Sequence, residues 1–247
     1  EPSRTRFARS SRQFMDTPTY AQRRGQIEQY FDRTAVAAWE RLTSDAPVGR
    51  IRASVRAGRD RMRATLLSWL PADLHGRRIL DAGCGTGAFA VEAARRGAEV
   101  VAIDLSPTLV NLARQRMPEA LGQGRIDFRS GDMLDPLLGH FDHVVAMDSI
   151  IHYGTSDAVA ALSRLAQRTS GSIVFTFAPR TPLLAAMISV GRLFPRGDRA
   201  PWLNPMAADK LEAMRAQDAV LARWQAGRTE RVSSGFYKSQ AMEWVCR

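Results

Sequence analysis

The segment Leu80-Asp81-Ala82-Gly83-Cys84-Gly85-Thr86-Gly87 decides the fold of this chain. It ends a short apolar run that predicts a β-strand at 78–83, and it precedes a run that predicts a helix at 88–96. Its glycines allow positive φ angles and let the backbone approach a ligand closely. A turn of this kind between a strand and a helix indicates a ligand-binding α/β domain.

Strand and helix patterns alternate from residue 77 to residue 178. Further strands are predicted at 98–104, 125–131, 141–147 and 172–177, and helices at 106–117 and 157–168. Ser106 is the expected N-cap of its helix, with Pro107 at the first helical position. A helix at 207–223 and strands near 229–234 and 236–246 close the sheet. We predict an α/β fold with a doubly wound, mainly parallel seven-stranded sheet of Rossmann-like type.

Three segments flank or interrupt this alternating pattern. Residues 1–25 are polar, Arg-rich and aperiodic, and are expected to form a flexible basic tail. Residues 26–70 predict an N-terminal helical arm, and residues 71–247 the main domain. Within that domain, residues 179–209 are rich in proline and apolar side chains, which is typical of a lid or substrate insertion.

The tail and the arm together carry most of the net positive charge. Residues 1–70 hold 14 Lys/Arg and 7 Asp/Glu, a surplus of +7 out of the +10 of the whole chain. On the helix after Pro47, arginines lie beside an apolar stripe at Arg52, Arg56, Arg59 and Arg63. They form either a solvated face or an anion-binding face, and the anion could be nucleic acid, acidic lipid or a polycarboxylate ligand.

Composition excludes several classes of protein. With 247 residues, 45% hydrophobic and 24% charged, the chain falls in the globular range. Cys84 and Cys246 are far apart, so neither a disulfide framework nor a thiolate metal site is predicted, and a reducing cytoplasm fits. The most apolar window, 182–191, is about half the length of a membrane span.

Three marks in chain order predict the ligand. A dinucleotide fingerprint would need a glycine at residue 88, which is Ala. The pattern from Asp81 to Gly87 instead resembles the first motif of class I S-adenosylmethionine-dependent methyltransferases. Asp104, at the end of the next strand, is placed to accept the two ribose hydroxyls.

The third mark is the Asp132-Met133 pair after the third strand. By this resemblance Asp132 binds the adenine amino group and Met133 packs on the ring. Asp81 either holds the glycine turn or receives the methionine ammonium. Cys84 is expected to be a small turn residue without nucleophilic function. The predicted cofactor-binding residues are Asp81, Gly83, Cys84, Gly85, Asp104, Leu105, Asp132, Met133 and Met147.

The end of the fourth strand bears on the methyl acceptor. Methyltransferases that act on amino nitrogens of bases or glutamine often carry an Asn/Asp-Pro-Pro-Tyr/Phe run there. Residues 145–153, Val-Ala-Met-Asp-Ser-Ile-Ile-His-Tyr, contain neither proline. We therefore expect no nucleic-acid partner, and small-molecule O-methylation becomes the leading hypothesis.

Four segments carry a more specific resemblance. Residues 30–39, 55–62, 147–153 and 228–240 resemble the magnesium-protoporphyrin IX O-methyltransferase family. The resemblance implies methylation of one propionate of magnesium protoporphyrin IX, giving the monomethyl ester in (bacterio)chlorophyll biosynthesis. Magnesium would arrive with the substrate, and no protein-bound metal is expected. A cytoplasmic enzyme is implied, with hypotheses of peripheral membrane association and of contact with magnesium chelatase.

Two residues are predicted to be catalytic. His152, just past the fourth strand, is expected to hydrogen-bond or deprotonate the propionate, although an isolated histidine is often structural. Tyr30 of the arm either fixes the carboxylate with its hydroxyl or packs beside Phe31. The alternatives are a methyltransferase for another apolar acid or quinone precursor, and a cofactor-binding or RNA-associated protein without turnover.

Overall fold

Seven strands form one sheet in the computed structural model of the protein, which describes Gly25 and residues 49–181 and 203–247. The strands are β1 (Arg78–Ala82), β2 (Glu99–Asp104), β3 (Arg125–Ser130), β4 (Phe141–Ala146), β5 (Thr169–Phe177), β6 (Trp224–Ser234) and β7 (Tyr237–Cys246). The helices are α1 (Arg50–Trp69), α2 (Ala88–Arg95), α3 (Pro107–Gln115), α4 (Thr155–Ala166) and α5 (Ala208–Gln217). The predicted tail, the first half of the arm with Tyr30, and residues 182–202 of the insertion lie outside the described residues.

The strand order is β3-β2-β1-β4-β5-β7-β6. The first five strands are parallel, whereas β7 runs antiparallel to both β5 and β6. This arrangement confirms the predicted doubly wound, mainly parallel sheet. The strand order changes direction between β1 and β4, and ligands of such sheets bind at the carboxyl ends of the strands next to that point. The glycine turn after β1 lies there.

The sheet has an apolar layer on each face. Successive residues of a strand point to opposite faces, and accordingly Leu80 belongs to one buried cluster with Trp244, while Ile79 belongs to the other with Met62. The central strands are buried on both faces, which explains their continuous apolar runs. In the edge strand β3 only Phe128 is buried, and the other residues are half-buried or exposed.

The predicted start of α3 is confirmed, whereas the predicted end of α5 is wrong. The Ser106 hydroxyl accepts the Leu109 N–H at 3.2 Å and Pro107 follows it, as predicted. The predicted helix at 207–223 is wrong beyond residue 217. The Asp218 carboxylate accepts the N–H groups of Val220 and Leu221, both at 2.9 Å, which stabilises a turn instead of further helix.

Two strands start earlier than predicted. Because the chain turns at Asp218, β6 begins at Trp224, five residues before its expected start. Strand β5 begins at Thr169, before the predicted residue 172, and pairs there with Phe141 of β4.

No described helix has the length and apolar character needed to cross a membrane.

Helix α1 packs against the hairpin formed by β6 and β7. Gly58 in the middle of α1 is buried, and a Cβ there would lie 2.6 Å from Cδ1 of Tyr237. The helix backbone and the tyrosine ring are therefore in direct contact. This contact requires glycine even though glycine weakens a helix interior.

We predict that Gly58→Ala destabilises the protein by about 1–2 kcal/mol, because overpacking against the Tyr237 ring outweighs the better helix propensity of alanine. Urea unfolding of both proteins measures this difference. The control Ala57→Gly, at the exposed neighbouring position, should lose about 0.5–1 kcal/mol from propensity alone. A more stable Gly58→Ala protein would contradict the close packing.

Candidate active site

The glycine turn after β1 is fixed to the end of β2. The N–H groups of Gly83 and Cys84 donate to the carbonyl of Ile103 at 2.8 and 3.0 Å. Gly83 has φ +83°, and a Cβ at this position would lie 2.4 Å from Cβ of Ser149 in the loop after β4. Glycine is therefore needed here for both its backbone conformation and its lack of a side chain.

Asp104 lies at the centre of this region. Its carboxylate accepts the Gly85 N–H at 2.9 Å and the Ser106 N–H at 3.0 Å, so it joins the glycine turn to the start of α3. Burial raises the pKa of Asp104, and the N–H donors partly offset that rise. The structure thus brings Asp104 and the glycine turn together, as the sequence predicts.

Asp81 is the second carboxylate of the turn. Its side chain is buried and receives the backbone N–H of Ala90, but its Oδ2 has no hydrogen-bond partner among the described residues. Burial and the nearby charge of Asp104 raise the pKa of Asp81 to about 7. These contacts bear on both predicted roles of Asp81. The hydrogen bond from Ala90 attaches the carboxylate to α2 beside the glycine turn, and the buried Oδ2 could receive a cationic group such as an ammonium.

The remaining predicted cofactor residues follow β2, β3 and β4. The Gly131 N–H donates to the Asp104 carbonyl at 2.9 Å, so the turns after β2 and β3 are in contact. Asp132 accepts the Leu134 N–H at 2.8 Å, which makes its carboxylate part of the turn itself. Met133 and Met147 are buried and Leu105 is half-buried.

Cys84 is buried within the glycine turn. Burial, followed by the charges of Asp81 and Asp104, raises the pKa of the Cys84 thiol well above its usual value. The thiol is therefore neutral at physiological pH and a poor nucleophile. This agrees with the expected role as a small turn residue.

His152 lies in the short turn Ile150–His152 after β4, and its side chain is buried. Asn204 holds this turn: its side-chain amide donates to the His152 carbonyl at 2.7 Å, and its N–H donates to the Ile151 carbonyl at 2.9 Å. Sequence reasoning did not single out Asn204, because nothing in the pattern separates it from the rest of the insertion.

The two described ends of the insertion meet beside this turn. The Met206 N–H donates to the Ala178 carbonyl at 2.8 Å, and the Arg180 N–H donates to the Met206 carbonyl at 2.9 Å. Because Asn204 also contacts the His152 turn, the insertion begins and ends next to the predicted acceptor site. The predicted partner of His152, Tyr30, lies outside the described residues.

Asp148 is a second residue that sequence reasoning missed. Its carboxylate accepts hydrogen bonds from Arg59 of α1 at 2.7 Å, from Tyr237 of β7 at 3.0 and 3.2 Å, and from Thr176 of β5 at 3.1 Å. Arg59 therefore does not lie on a solvated face, as one interpretation of the arm arginines predicts. Across the described ranges, no three His, Cys, Asp or Glu side chains converge as a metal site would require.

Comparison with known proteins agrees with this site. Residues 79–170 match the "Methyltransferase domain" family, and residues 146–246 match "Magnesium-protoporphyrin IX methyltransferase C-terminus". A magnesium-protoporphyrin O-methyltransferase of Rhodobacter capsulatus is 50% identical over 226 residues, which cover 91% of this chain and 97% of that protein. The chain belongs to the magnesium-protoporphyrin O-methyltransferase family.

A solved member of the family has the same fold. The crystal structure of magnesium protoporphyrin IX methyltransferase from Synechocystis PCC 6803 with bound S-adenosylhomocysteine superimposes with a TM-score of 0.79 at 29% identity, and the match covers 90% of this chain and 99% of that one. A magnesium-protoporphyrin O-methyltransferase of Synechocystis is 31% identical, over 89% of this chain and 94% of that protein. The predicted family, class I methyltransferase fold and S-adenosylmethionine cofactor are thereby confirmed.

The residues present fit this cofactor. A buried carboxylate oxygen of Asp81 lacks a partner among the described groups, and an ammonium group would supply one. Asp104 stands at the strand end where a ribose would be bound in a sheet of this type. Met133 and Met147 provide apolar surface in the neighbouring turns.

The raised pKa of Asp81 predicts a pH dependence of stability. Asp81 keeps its proton up to about pH 7 when folded, but releases it near pH 3.8 when unfolded. The free energy of unfolding therefore falls as pH rises between these values. From pH 5 to pH 7, cofactor-free wild type should lose about 2 kcal/mol more than Asp81→Asn. Urea unfolding at each pH measures both slopes, and parallel profiles would contradict the assignment.

Proposed function

We propose that this protein transfers the methyl group of S-adenosylmethionine to a propionate carboxylate of magnesium protoporphyrin IX, giving the monomethyl ester. The observation that carries this proposal is the 50% identity to the Rhodobacter capsulatus enzyme over 97% of that protein. The C-terminal family region starts at residue 146, so it includes the loop after β4 that carries His152.

The reaction makes modest chemical demands on the protein. A propionate has a pKa of about 4.3, so it is already ionised at neutral pH and needs no strong base. When bound, S-adenosylmethionine supplies an activated methyl group. The protein must hold one carboxylate oxygen in line with that group and exclude water, and orientation of this kind contributes about 7–11 kcal/mol in favourable cases.

We assign these tasks to His152, which follows β4 at the carboxyl end of the sheet, and to Tyr30 of the arm. His152 hydrogen-bonds the propionate, and Tyr30 of the arm fixes the same carboxylate with its hydroxyl. The support for His152 is its turn after β4, which Asn204 fastens to the insertion. The support for Tyr30 is the family resemblance of residues 30–39.

On the cofactor side, Asp104 accepts the ribose hydroxyls and Asp81 the methionine ammonium. Asp132 and Met133 hold the adenine. The glycine turn and the neighbouring apolar side chains complete the pocket through Gly83, Cys84, Gly85, Leu105 and Met147. The support is their common position at the ends of β1, β2, β3 and β4.

The test is formation of S-adenosylhomocysteine when magnesium protoporphyrin IX is added to protein and S-adenosylmethionine. A quinone precursor and an RNA are the parallel substrates. Product with the porphyrin alone supports the proposal. Turnover of the quinone precursor in place of the porphyrin, or no turnover of any substrate, would overturn it.

Variants separate the two halves of the site. His152→Ala and Tyr30→Phe should each lower kcat by about tenfold or more with little change in cofactor affinity, because positioning in the transition state is lost. Asp104→Ala is the control and should weaken S-adenosylmethionine binding by about 2–3 kcal/mol in calorimetry. Wild-type kcat in either of the first two variants would remove that residue from catalysis.

We also propose that the protein associates with an anionic membrane surface. Exposed Ile51 and Phe236 accompany exposed Arg50 and Arg52 near the contact between α1 and the tip of the β6–β7 hairpin. Apolar side chains surrounded by basic ones are typical of interfacial binding. A contact with magnesium chelatase, which would supply the substrate, remains a hypothesis based on the family resemblance.

Flotation with liposomes tests the membrane proposal. Binding to anionic but not neutral vesicles, lost at high salt, is expected because each basic residue near the surface contributes about 1 kcal/mol. Phe236→Ser should weaken binding, whereas Leu137→Ser, an exposed apolar residue before β4, should not. Equal binding of both variants, or no binding of wild type, would count against the proposal.

A further inference from the structure

We infer that Asp148 is a positioning residue whose carboxylate, through Arg59 and Tyr237, holds α1 and the β6–β7 hairpin against the loop that carries His152. The inference rests on the role proposed above for His152. It goes beyond that role because it names the contact by which the arm and the hairpin determine where the histidine lies.

The backbone at Asp148 is held in an unfavourable conformation. Its φ is +54°, and it is the only residue other than glycine with positive φ among those described. This conformation costs a residue with a side chain about 1 kcal/mol, somewhat less for Asp than for most. Thr176 of β5 maintains it, because its Oγ1 accepts the Asp148 N–H at 2.8 Å and donates back to the carboxylate at 3.1 Å.

The carboxylate joins elements that are far apart in sequence. Arg59 is 89 residues before Asp148, and Tyr237 is 89 residues after it. The side chains of Asp148 and Arg59 are only 7% and 20% exposed, so solvent screens their attraction little. Burial and the charge of Asp148 raise the pKa of the Tyr237 hydroxyl, which therefore remains a donor. Removing one partner of such a pair leaves the other charge poorly solvated.

Asp148 precedes residues of the loop that contact the cofactor turn and that include His152. Its successor Ser149 lies against Gly83 of the cofactor turn, where no Cβ could fit. Three residues further on, His152 ends the short turn that Asn204 fastens. A shift at Asp148 would therefore move the predicted acceptor residue, whereas the cofactor turn keeps its own hydrogen bonds to Ile103 and Asp104. Its carboxylate is already engaged by Arg59, Tyr237 and Thr176, so we assign it no contact with substrate.

A second ion pair provides a matched control. Arg228 of β6 binds buried Glu243 of β7 at 2.6 Å and also donates to the Trp69 carbonyl at the other end of α1. It attaches α1 to the same hairpin and, among the described residues, makes no hydrogen bond or ion pair with the loop after β4. Arg228→Gln should therefore weaken the docking of α1 without disturbing His152.

The experiment compares Asp148→Asn, Arg59→Gln, their double variant and Arg228→Gln. Asparagine keeps the size and tolerates positive φ, so folding is retained. We expect kcat with magnesium protoporphyrin IX to fall about tenfold or more in each of the first two variants, with S-adenosylmethionine Kd within about threefold of wild type. The double variant should be no slower than the slower single variant.

Three kinetic results would overturn the inference: wild-type kcat in Asp148→Asn, multiplicative losses in the double variant, or an equal fall in kcat for Arg228→Gln at a matched loss in Tm. Any of them would mean that the Asp148 contacts are ordinary packing. The expected result for Arg228→Gln is a lower Tm with kcat within about twofold of wild type.

Hydrogen exchange keeps the inference testable independently of turnover. In Asp148→Asn, amides of residues 54–60 and 149–153 should exchange faster together, whereas Arg228→Gln should affect only the end of α1 and β6. If wild type fails to methylate the porphyrin, the proposed function fails, and exchange alone decides about Asp148. Faster exchange in only one of the two segments would overturn the coupling.

Discussion

Two carboxylates, buried Asp81 and half-buried Asp104, lie against one glycine turn, and they are the constraint on which the site depends. Burial, followed by the charge of Asp104, raises the pKa of Asp81 to about 7, and burial also raises the pKa of Asp104. The backbone offsets this cost for Asp104 with two N–H donors, but leaves one oxygen of Asp81 without a partner among the described groups. A ligand carrying an ammonium group removes that penalty, so cofactor binding and local stability are linked.

Much of the fold could be predicted because its signals are local. The apolar runs of the central strands, the Ser106 cap and the strand-end position of Asp104 all follow from short-range rules. The end of α5 could not be predicted in this way. Whether the Asp218 carboxylate accepts N–H groups or faces solvent depends on its neighbours, and the Ser163 hydroxyl at 2.8 Å helps to hold it in the turn.

The same limit explains why Asp148 was missed. Helical periodicity places Arg59 beside the apolar stripe of α1, but it cannot say which carboxylate, 89 residues away, that arginine meets. The family resemblance contained a partial signal. Three of its segments, 55–62, 147–153 and 228–240, contribute Arg59, Asp148 and Tyr237, and these residues meet at one point in the structure.

The point where Arg59, Asp148 and Tyr237 meet lies between the proposed cofactor half and the proposed acceptor half of the domain. In the proposed function the turns after β1, β2 and β3 bind the cofactor, and these turns lie within the region that matches methyltransferase domains in general. Helix α1, the described ends of the insertion and the β6–β7 hairpin lie outside this common part, and they contact the loop after β4 through Asp148 on one side and Asn204 on the other. Because this loop also touches the glycine turn at Ser149, one short segment connects the acceptor elements to the cofactor half. Specificity for the acceptor can then change through the added elements without altering how the cofactor is bound.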